Sequence, residues 1–361
     1  MNHCCLWIAR RKDKKNMSKH LFDFCIGNPP YQEETENNGR QSPVYDKFME
    51  AAYEVSSCVE LITPARFLFN AGQTSKAWNE KMLKDKHFKV LQYEADASKI
   101  FSNTDIKGGV AVTIRDTNKD YGEIGEFITS EVMRNIVHKM KPMFTSAMDE
   151  IHHNRSSYRL TDILYDENPE LCDRVKKSER LSIGSNIFDK IPEVFFNTKP
   201  NDGAAYGRIF GRKNNERTYQ WILEKYLQAH DNYDKWKVFV AKSNGTGEFG
   251  ETLSGFEVAA PMTVATQTFI SFGDFKEEGE ANALSRYLST KFVRALLGVC
   301  KITPDNARKE VWKYVPLQDF TSKSDIDWSK SIHEIDLQLY RKYGLSTEEI
   351  TFIETNVKEM E

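Results

Sequence analysis

A short apolar run that ends in two prolines constrains this chain more than any other stretch. The run Phe22-Asp23-Phe24-Cys25-Ile26-Gly27 is typical of a buried β-strand, and Asn28-Pro29-Pro30-Tyr31 follows it directly. Neither proline can continue a strand ladder, and each fixes its own φ. Asn28 is held extended because it precedes a proline. We therefore expect a rigid corner at the carboxyl end of a strand, where open α/β sheets bind ligands.

Strand and helix patterns alternate after this corner. The predicted strands are 59–63, 88–93 and 109–115, and the predicted helices are 43–53 and 74–85. Such alternation is typical of an α/β fold with a parallel sheet, and the closing strands are expected to form an antiparallel edge.

The Asn-Pro-Pro-Tyr sequence after such a strand resembles the catalytic motif of adenine-specific DNA methyltransferases from type II restriction-modification systems. The stretch Leu61-Ile62-Thr63-Pro64-Ala65-Arg66-Phe67-Leu68 resembles the next motif of that family. The chemistry explains the residue types. The exocyclic amine of adenine is a poor nucleophile, and the Asn28 oxygen with the Pro29 carbonyl can accept both amine hydrogens. A base that has left the duplex is held by aromatic stacking, which suits Tyr31.

The resemblance implies residues for catalysis, for the target adenine and for the methyl donor S-adenosylmethionine. Asn28, Pro29, Pro30 and Tyr31 are the expected catalytic residues. Phe101 and Lys107 are expected to bind the target adenine, and Asp23 and Phe48 are expected to bind the methyl donor. Two of them have an ordinary alternative. Phe101 is equally typical of a core phenylalanine, and Phe48 of a core residue on one helix face with Val44 and Ala51 or Ala52. No metal site is predicted.

The second half of the chain resembles the target-recognition domains of restriction-modification specificity modules. The likeness rests on Tyr287-Leu288-Ser289-Thr290-Lys291 in a predicted helix 281–294 and on Val315-Pro316-Leu317 at the end of a predicted strand. Upstream, basic residues lie between aromatic ones, a composition that suits DNA contact or, alternatively, a solvated strand face. The basic residues are Arg208, Arg212, Lys213 and Arg217, and the aromatic ones are Tyr206, Phe210, Tyr219 and Trp221.

We accordingly predict an α/β chain with a partial Rossmann-like methyltransferase sheet, an α+β target-recognition domain and C-terminal helices. The predicted segments are a leader at 1–20, a catalytic half-domain at 21–125, a target-recognition domain at 126–325 and a helical segment at 326–361. In the family, a strand with a Gly-rich turn precedes the Asn-Pro-Pro-Tyr strand and holds the cofactor. The stretch 243–250 is Gly-rich but is predicted to be a plain loop. The chain is thus expected to be the carboxy-terminal half of a methyltransferase, and a second subunit could carry the Gly-rich motif.

Composition indicates where the protein acts but does not decide which function it has. The net charge of −3 excludes a generally basic coat, and the six cysteines lack CxxC spacing, as expected of a reduced cytoplasmic protein. No apolar run is long enough to cross a membrane, and the expected partner is double-stranded DNA. Three functions stay open: a DNA adenine methyltransferase component, a non-catalytic DNA-recognition subunit, and a type II restriction endonuclease component. For the last, Pro304-Asp305, Glu310 and Lys313 approach the spacing of a metal nuclease, but Lys313 is one residue too far.

Overall fold

The structure, a computed structural model, divides the chain into two compact units. It describes residues 20–32, 42–101, 106, 108–228, 230–301 and 304–360, and the backbone alone of residues 5–9. Unit 1 is Met1–Thr129 and unit 2 is Ser130–Glu361. Each unit combines helices with β-sheet, so the predicted α/β class is confirmed.

Unit 1 is built on one five-stranded sheet with the order β1-β2-β3-β5-β4. Its elements are β1 (Cys5–Ala9), β2 (Phe22–Asn28), α1 (Tyr45–Val55), β3 (Ser56–Pro64), α2 (Lys76–Lys84), β4 (Phe88–Glu94) and β5 (Val110–Asp116). β2 and β3 are parallel and are joined through α1. β1 pairs antiparallel with β2, and β5 lies antiparallel between β3 and β4. The two parallel strands therefore end together at one edge of the sheet.

The helix after the corner buries a different face from the one the sequence predicted. We expected Val44, Phe48 and Ala51 or Ala52 to share the core face. Ala52 is buried, but Tyr45 and Met49 take the core positions expected for Val44 and Phe48. Helix α1 begins at Tyr45, and the Tyr45 ring packs against aromatic rings of the core, which sets the helix rotation. Phe48 is left 41% exposed.

Unit 2 contains a four-stranded sheet, a three-stranded sheet and seven helices among the described residues. Its strands are β6 (His152–His153), β7 (Tyr206–Lys213), β8 (Glu216–Leu223), β9 (Trp236–Ala241), β10 (Glu257–Ala259), β11 (Thr263–Ala265) and β12 (Phe269–Phe275). Its helices are α3 (Glu131–Met140), α4 (Ile163–Glu167), α5 (Ile187–Lys190), α6 (Glu278–Ser289), α7 (Lys291–Cys300), α8 (Ile332–Lys342) and α9 (Thr347–Asn356), of which α4 and α5 are single turns. The sheet orders are β10-β9-β12-β6 and β11-β7-β8.

The predicted helix 281–294 is in fact two helices. Thr290 adopts an extended backbone conformation after α6, and its hydroxyl accepts a hydrogen bond from the Val293 N–H. Threonine in this position caps a new helix by satisfying one of its free N–H groups. The carboxylate of Asp336 in α8 accepts the next N–H groups, those of Lys291 and Phe292. Capping by these two side chains explains why the helix breaks where its apolar pattern continues.

Near the C-terminus the structure agrees with one local prediction and overturns another. The predicted break between the last two helices is confirmed, with Ser346 and Glu349 forming the predicted capping box. The predicted strand before Leu317 is wrong. Lys309–Trp312 forms a 3-10 turn instead, and Pro316 makes only an isolated bridge with Ala147. Proline cannot donate to a strand ladder, which limits pairing at this position.

No helix in the described part of the chain combines the length and apolarity needed to cross a lipid bilayer.

Candidate active site

Strand β2 carries Asn28 to the carboxyl edge of the unit 1 sheet. Asn28 is the last residue of β2, and the pairing of Gly27 with Leu61 brings it beside the end of β3. Pro29 is buried, whereas Asn28 is half-buried. No hydrogen bond to the Asn28 amide occurs among the described residues. The side chain is therefore held by a rigid backbone while its amide oxygen and nitrogen stay available to a ligand.

The corner is tied to the start of helix α1. The Val44 N–H donates to the Tyr31 carbonyl at 3.2 Å, and Gln32 forms an isolated bridge with Pro43. These contacts hold the first turn of α1, and with it Phe48, next to Asn28-Pro29-Pro30-Tyr31. Phe48 is exposed on this turn, so its ring can pack against a planar group.

Tyr31 and Phe101, the two residues predicted to stack on a base, lie side by side. Their ring centroids are 6.3 Å apart and the rings meet edge to face at 75°. Phe101 is held by its N–H, which donates to the carbonyl of the buried Ala97 at 2.8 Å. In this arrangement one ring edge fills the space over the other ring. A base can lie between the two only after one of them has rotated.

The Tyr31 hydroxyl is buried and has no hydrogen-bond partner among the described residues. Burial raises the pKa of Tyr31 to about 12. The phenol therefore stays protonated at neutral pH and can donate a hydrogen bond but cannot act as a base.

Asp23, which was predicted to bind the cofactor, lies away from this corner. Asp23 is exposed near the opposite end of β2, about 16 Å from Asn28 at the rise of an extended strand. Its carbonyl there accepts a hydrogen bond from the Ser57 hydroxyl. The cofactor role of Asp23 stays a prediction. Lys107 lies outside the described residues.

A buried hydroxyl beside the corner was missed from the sequence. Thr63, the second-to-last residue of β3, is fully buried, and its hydroxyl has no hydrogen-bond partner among the described residues. The register of β2 and β3 places it level with Pro29. An unsatisfied buried hydroxyl is unfavourable, and one beside a ligand-binding edge is a candidate for contact with the ligand. In the sequence, Thr63 could have been recognised as a polar residue at the end of an apolar strand run.

Replacing Thr63 by valine should stabilise unit 1. Valine has the same shape and removes an unsatisfied polar group, so we expect the free energy of unfolding to rise by about 0.5 to 1 kcal/mol, measured by urea unfolding. Thr113→Val is the matched control. The Thr113 hydroxyl is also buried but donates to the Leu61 carbonyl at 3.3 Å, so its loss should cost about 1 kcal/mol. Equal destabilisation by both changes would show that the Thr63 hydroxyl is paired.

The Gly-rich loop 243–250 of unit 2 binds one of the chain's own carboxylates. Glu251 accepts hydrogen bonds from the Thr246 N–H, from the Thr246 hydroxyl at 2.7 Å and from the Gly247 N–H at 3.1 Å. The buried Lys301 ammonium lies 3.5 Å from the same carboxylate. Burial raises the pKa of Glu251, but the hydrogen bonds outweigh burial and hold that pKa at about 2. The loop amides are thus occupied internally, which agrees with a structural loop.

Two stretches that carry the second resemblance meet in unit 2. The Tyr287 hydroxyl donates to the Pro316 carbonyl at 2.7 Å, so the helix with Tyr287-Leu288 contacts Val315-Pro316-Leu317 directly. In the nuclease-like stretch, the Asp305 carboxylate accepts the Ala307 N–H at 2.8 Å. Among the described residues, no group of three or more His, Cys, Asp or Glu side chains could hold a metal ion.

The corner lies within a segment shared with known proteins. Residues 7–101 match the Eco57I restriction-modification methylase family. The match to this methylase family runs from β1 to Phe101 and includes Asn28-Pro29-Pro30-Tyr31, Phe48 and Thr63. The resemblance expected from the sequence is therefore confirmed for this part of the chain.

Individual relatives agree with the family match. A Mycoplasma pneumoniae protein described as an uncharacterized adenine-specific methylase is 28% identical over 109 residues, which cover 29% of this chain and 26% of that protein. The chain thus spans about a quarter of the length of this relative.

Two solved structures of restriction-modification enzymes also resemble the chain. The type IIG restriction endonuclease BpuSI is 12% identical with a TM-score of 0.33, covering 88% of this chain and 48% of that one. The type IIL restriction-modification enzyme MmeI, solved in complex with DNA, is 10% identical with a TM-score of 0.39, covering 93% and 57%. The chain spans about half the length of each, and scores this low support no argument from shape.

Proposed function

We propose that the chain is a component of a site-specific DNA adenine methyltransferase of a restriction-modification system, acting in the cytoplasm. It would transfer a methyl group from S-adenosylmethionine to the exocyclic amine of an adenine flipped out of duplex DNA. The observation that carries this proposal is the corner itself. Asn28-Pro29-Pro30-Tyr31 ends a parallel strand, its Asn28 amide has no partner among the described residues, Tyr31 contacts Phe101, and the motif lies inside the segment that matches the methylase family.

Asn28 and Pro29 would orient the target amine. The Asn28 side-chain oxygen and the Pro29 carbonyl would each accept one amine hydrogen. These contacts draw the nitrogen lone pair out of conjugation with the ring and direct it toward the methyl group. The Pro29 carbonyl is well suited to this, because Pro30 restricts the backbone of the residue before it. Fixed acceptors need no reorganisation as charge develops on the nitrogen.

Tyr31 and Phe101 would hold the flipped base. Their contact in the structure closes the space that a base would fill, so base entry would rotate one ring from edge-to-face to parallel stacking. The buried Tyr31 hydroxyl, protonated at neutral pH, would then donate to a polar atom of the base or the sugar.

Phe48 is the described residue that best fits the cofactor. Its exposed ring at the first turn of α1 would pack against the adenine of S-adenosylmethionine, which when bound supplies the methyl group as a sulfonium. We propose that the unit 1 strands form part of a Rossmann-like methyltransferase sheet, with a Gly-rich turn supplied by a second subunit to complete the cofactor site. Unit 2 would serve as the target-recognition domain.

Methyl transfer tests the proposal. The chain should be incubated with duplex DNA and S-adenosylmethionine tritiated in the methyl group, alone and with a polypeptide that carries the Gly-rich cofactor motif. Label recovered in N6-methyladenine after DNA hydrolysis, in either reaction, supports the proposal. Sequence-selective DNA binding without transfer in both reactions would assign a recognition subunit instead, and magnesium-dependent cleavage would assign an endonuclease component.

A further inference from the structure

Strands β7 and β8 of unit 2 form a hairpin with a two-residue tip. Lys213 pairs with Glu216, so Asn214 and Asn215 alone make the turn, with φ of 53° and 67°. Positive φ at both positions defines a type I′ turn, for which asparagine is favoured. The Arg212 guanidinium donates to the Asn215 carbonyl at 2.8 Å. The tip is therefore a stiff, narrow ribbon with Arg212 fastened against it.

One face of this hairpin carries cations supported by aromatic rings. The Arg208 guanidinium lies 4.8 Å from the Tyr219 ring centroid and 5.6 Å from that of Trp221. The Lys199 ammonium lies 5.7 Å from the Trp221 ring. Because strand side chains alternate between faces, Arg212 shares a face with Arg208. Phe210, between Arg208 and Arg212 on this strand face, is buried in the core, so the exposed part of the face is at the hairpin tip. We call Arg208, Arg212 and Arg217, with the neighbouring Lys199, the basic hairpin face.

Two members of this face oppose each other. Arg212 and Arg217 are direct partners in the β7–β8 register, and both are exposed. Like charges directly opposite each other weaken an antiparallel pair. Among the described residues, no member of the basic hairpin face has a carboxylate within ion-pair distance, whereas other cations of unit 2 do, including Arg174 and Lys225. The hairpin thus keeps a repulsive pair at its tip without an internal counter-charge.

We propose that the basic hairpin face binds the phosphate backbone of duplex DNA, with the exposed hairpin tip entering the major groove. That groove admits a two-stranded ribbon, and arginine pairs with phosphate through two parallel hydrogen bonds. Phosphates beside Arg212 and Arg217 would relieve their mutual repulsion. Arg208 and Lys199, fixed over aromatic rings, would add positive charge behind the tip. The inference rests on the proposed function for the choice of DNA as the polyanion.

Salt-dependent DNA binding tests this surface in the full chain. Binding of a fluorescein-labelled duplex of mixed sequence should be followed by anisotropy from about 50 to 200 mM salt. For Arg212→Gln with Arg217→Gln, we expect the slope of log affinity against log salt to shrink by about 2, because two phosphate contacts are lost. Arg212→Lys with Arg217→Lys should retain the slope, because it keeps both charges.

A charge-matched control uses Arg174→Gln with Lys225→Gln, which removes two cations that have carboxylate partners. This control should leave the slope unchanged. Thermal midpoints should show that both variants are folded at the assay temperature, since Arg212 also donates to the Asn215 carbonyl. An unchanged slope in the Arg212 and Arg217 glutamine variant, an equal loss of slope in the control, or tighter binding to duplex RNA than to duplex DNA would each overturn the proposal.

The readout also separates this inference from the proposed function. DNA binding is measured without methyl transfer. If the salt dependence of binding requires Arg212 and Arg217 in a chain that never transfers methyl groups, the DNA-binding surface is supported and the proposed methyltransferase function is rejected. If methyl transfer depends on Asn28 but the salt dependence of DNA binding does not change when Arg212 and Arg217 are replaced, the methyltransferase function is supported and the DNA-binding surface is rejected.

Discussion

Asn28→Ala is expected to reduce methyl transfer to DNA by about 100-fold or more while DNA binding stays unchanged. The loss follows because alanine removes one of the two acceptors that would localise the lone pair of the target amine, and the loss of one preorganised electrostatic contact typically costs this much. The Asn28 side chain makes no hydrogen bond among the described residues, so its truncation should not destabilise the fold. Initial rates of tritium transfer should be measured in whichever form of the protein is active, alone or with a partner.

Two further variants make this result specific. Asn118→Ala should transfer at the wild-type rate, because Asn118 is exposed and follows the end of β5, where Asp116 pairs with Cys58 at the start of β3. That position is at the opposite edge of the sheet from the corner. Asn28→Asp keeps an acceptor oxygen and should retain more activity than Asn28→Ala. Transfer at the wild-type rate by Asn28→Ala would remove the corner from the mechanism.

Glu251→Gln is expected to lower the free energy of unfolding of unit 2 by about 3 kcal/mol at neutral pH. The change removes the charge that pairs with Lys301, which is 4% exposed, and an uncompensated buried cation is costly. It also turns an amide N–H toward donors from Thr246 and Gly247, which then lack a full acceptor. Urea unfolding followed by tryptophan fluorescence would measure the loss.

The effect of Glu251 should depend on pH in one direction. Burial raises the pKa of its carboxyl, but the hydrogen bonds outweigh burial and hold the pKa at about 2, below the ordinary value of 4.5. The ionised group therefore contributes stability that is fully present above pH 4.5 and is lost as the pH falls toward 2. The stability difference between the wild type and Glu251→Gln should narrow over that range.

Glu248→Gln is the control for this prediction. Glu248 is exposed in the same loop, so its substitution should change stability by less than about 0.5 kcal/mol at any of these pH values. A stability gap for Glu251→Gln that stays constant down to pH 2 would show that its carboxylate is not held ionised by the loop.

Most strands and helices of unit 1 could be predicted because their signals are local. The strand before Asn28, the helix after Pro43 and the later strands all follow from apolar runs and chain breakers. The rotation of α1 could not be predicted, because Val44 with Phe48 and Tyr45 with Met49 are both apolar pairs at helical spacing. Packing of the Tyr45 ring in the core chose between them and left Phe48 exposed.

Short-range interactions determine the features that the sequence specifies by itself, and long-range interactions determine those that only the tertiary structure decides. Asn28-Pro29-Pro30-Tyr31 is specified locally, since proline geometry and the end of an apolar run need no distant partner. The meeting of Tyr31 with Phe101 and the opposition of Arg212 and Arg217 depend on strand register and on where the chain returns. Those arrangements join residues through packing of the whole unit, and no local pattern encodes the outcome.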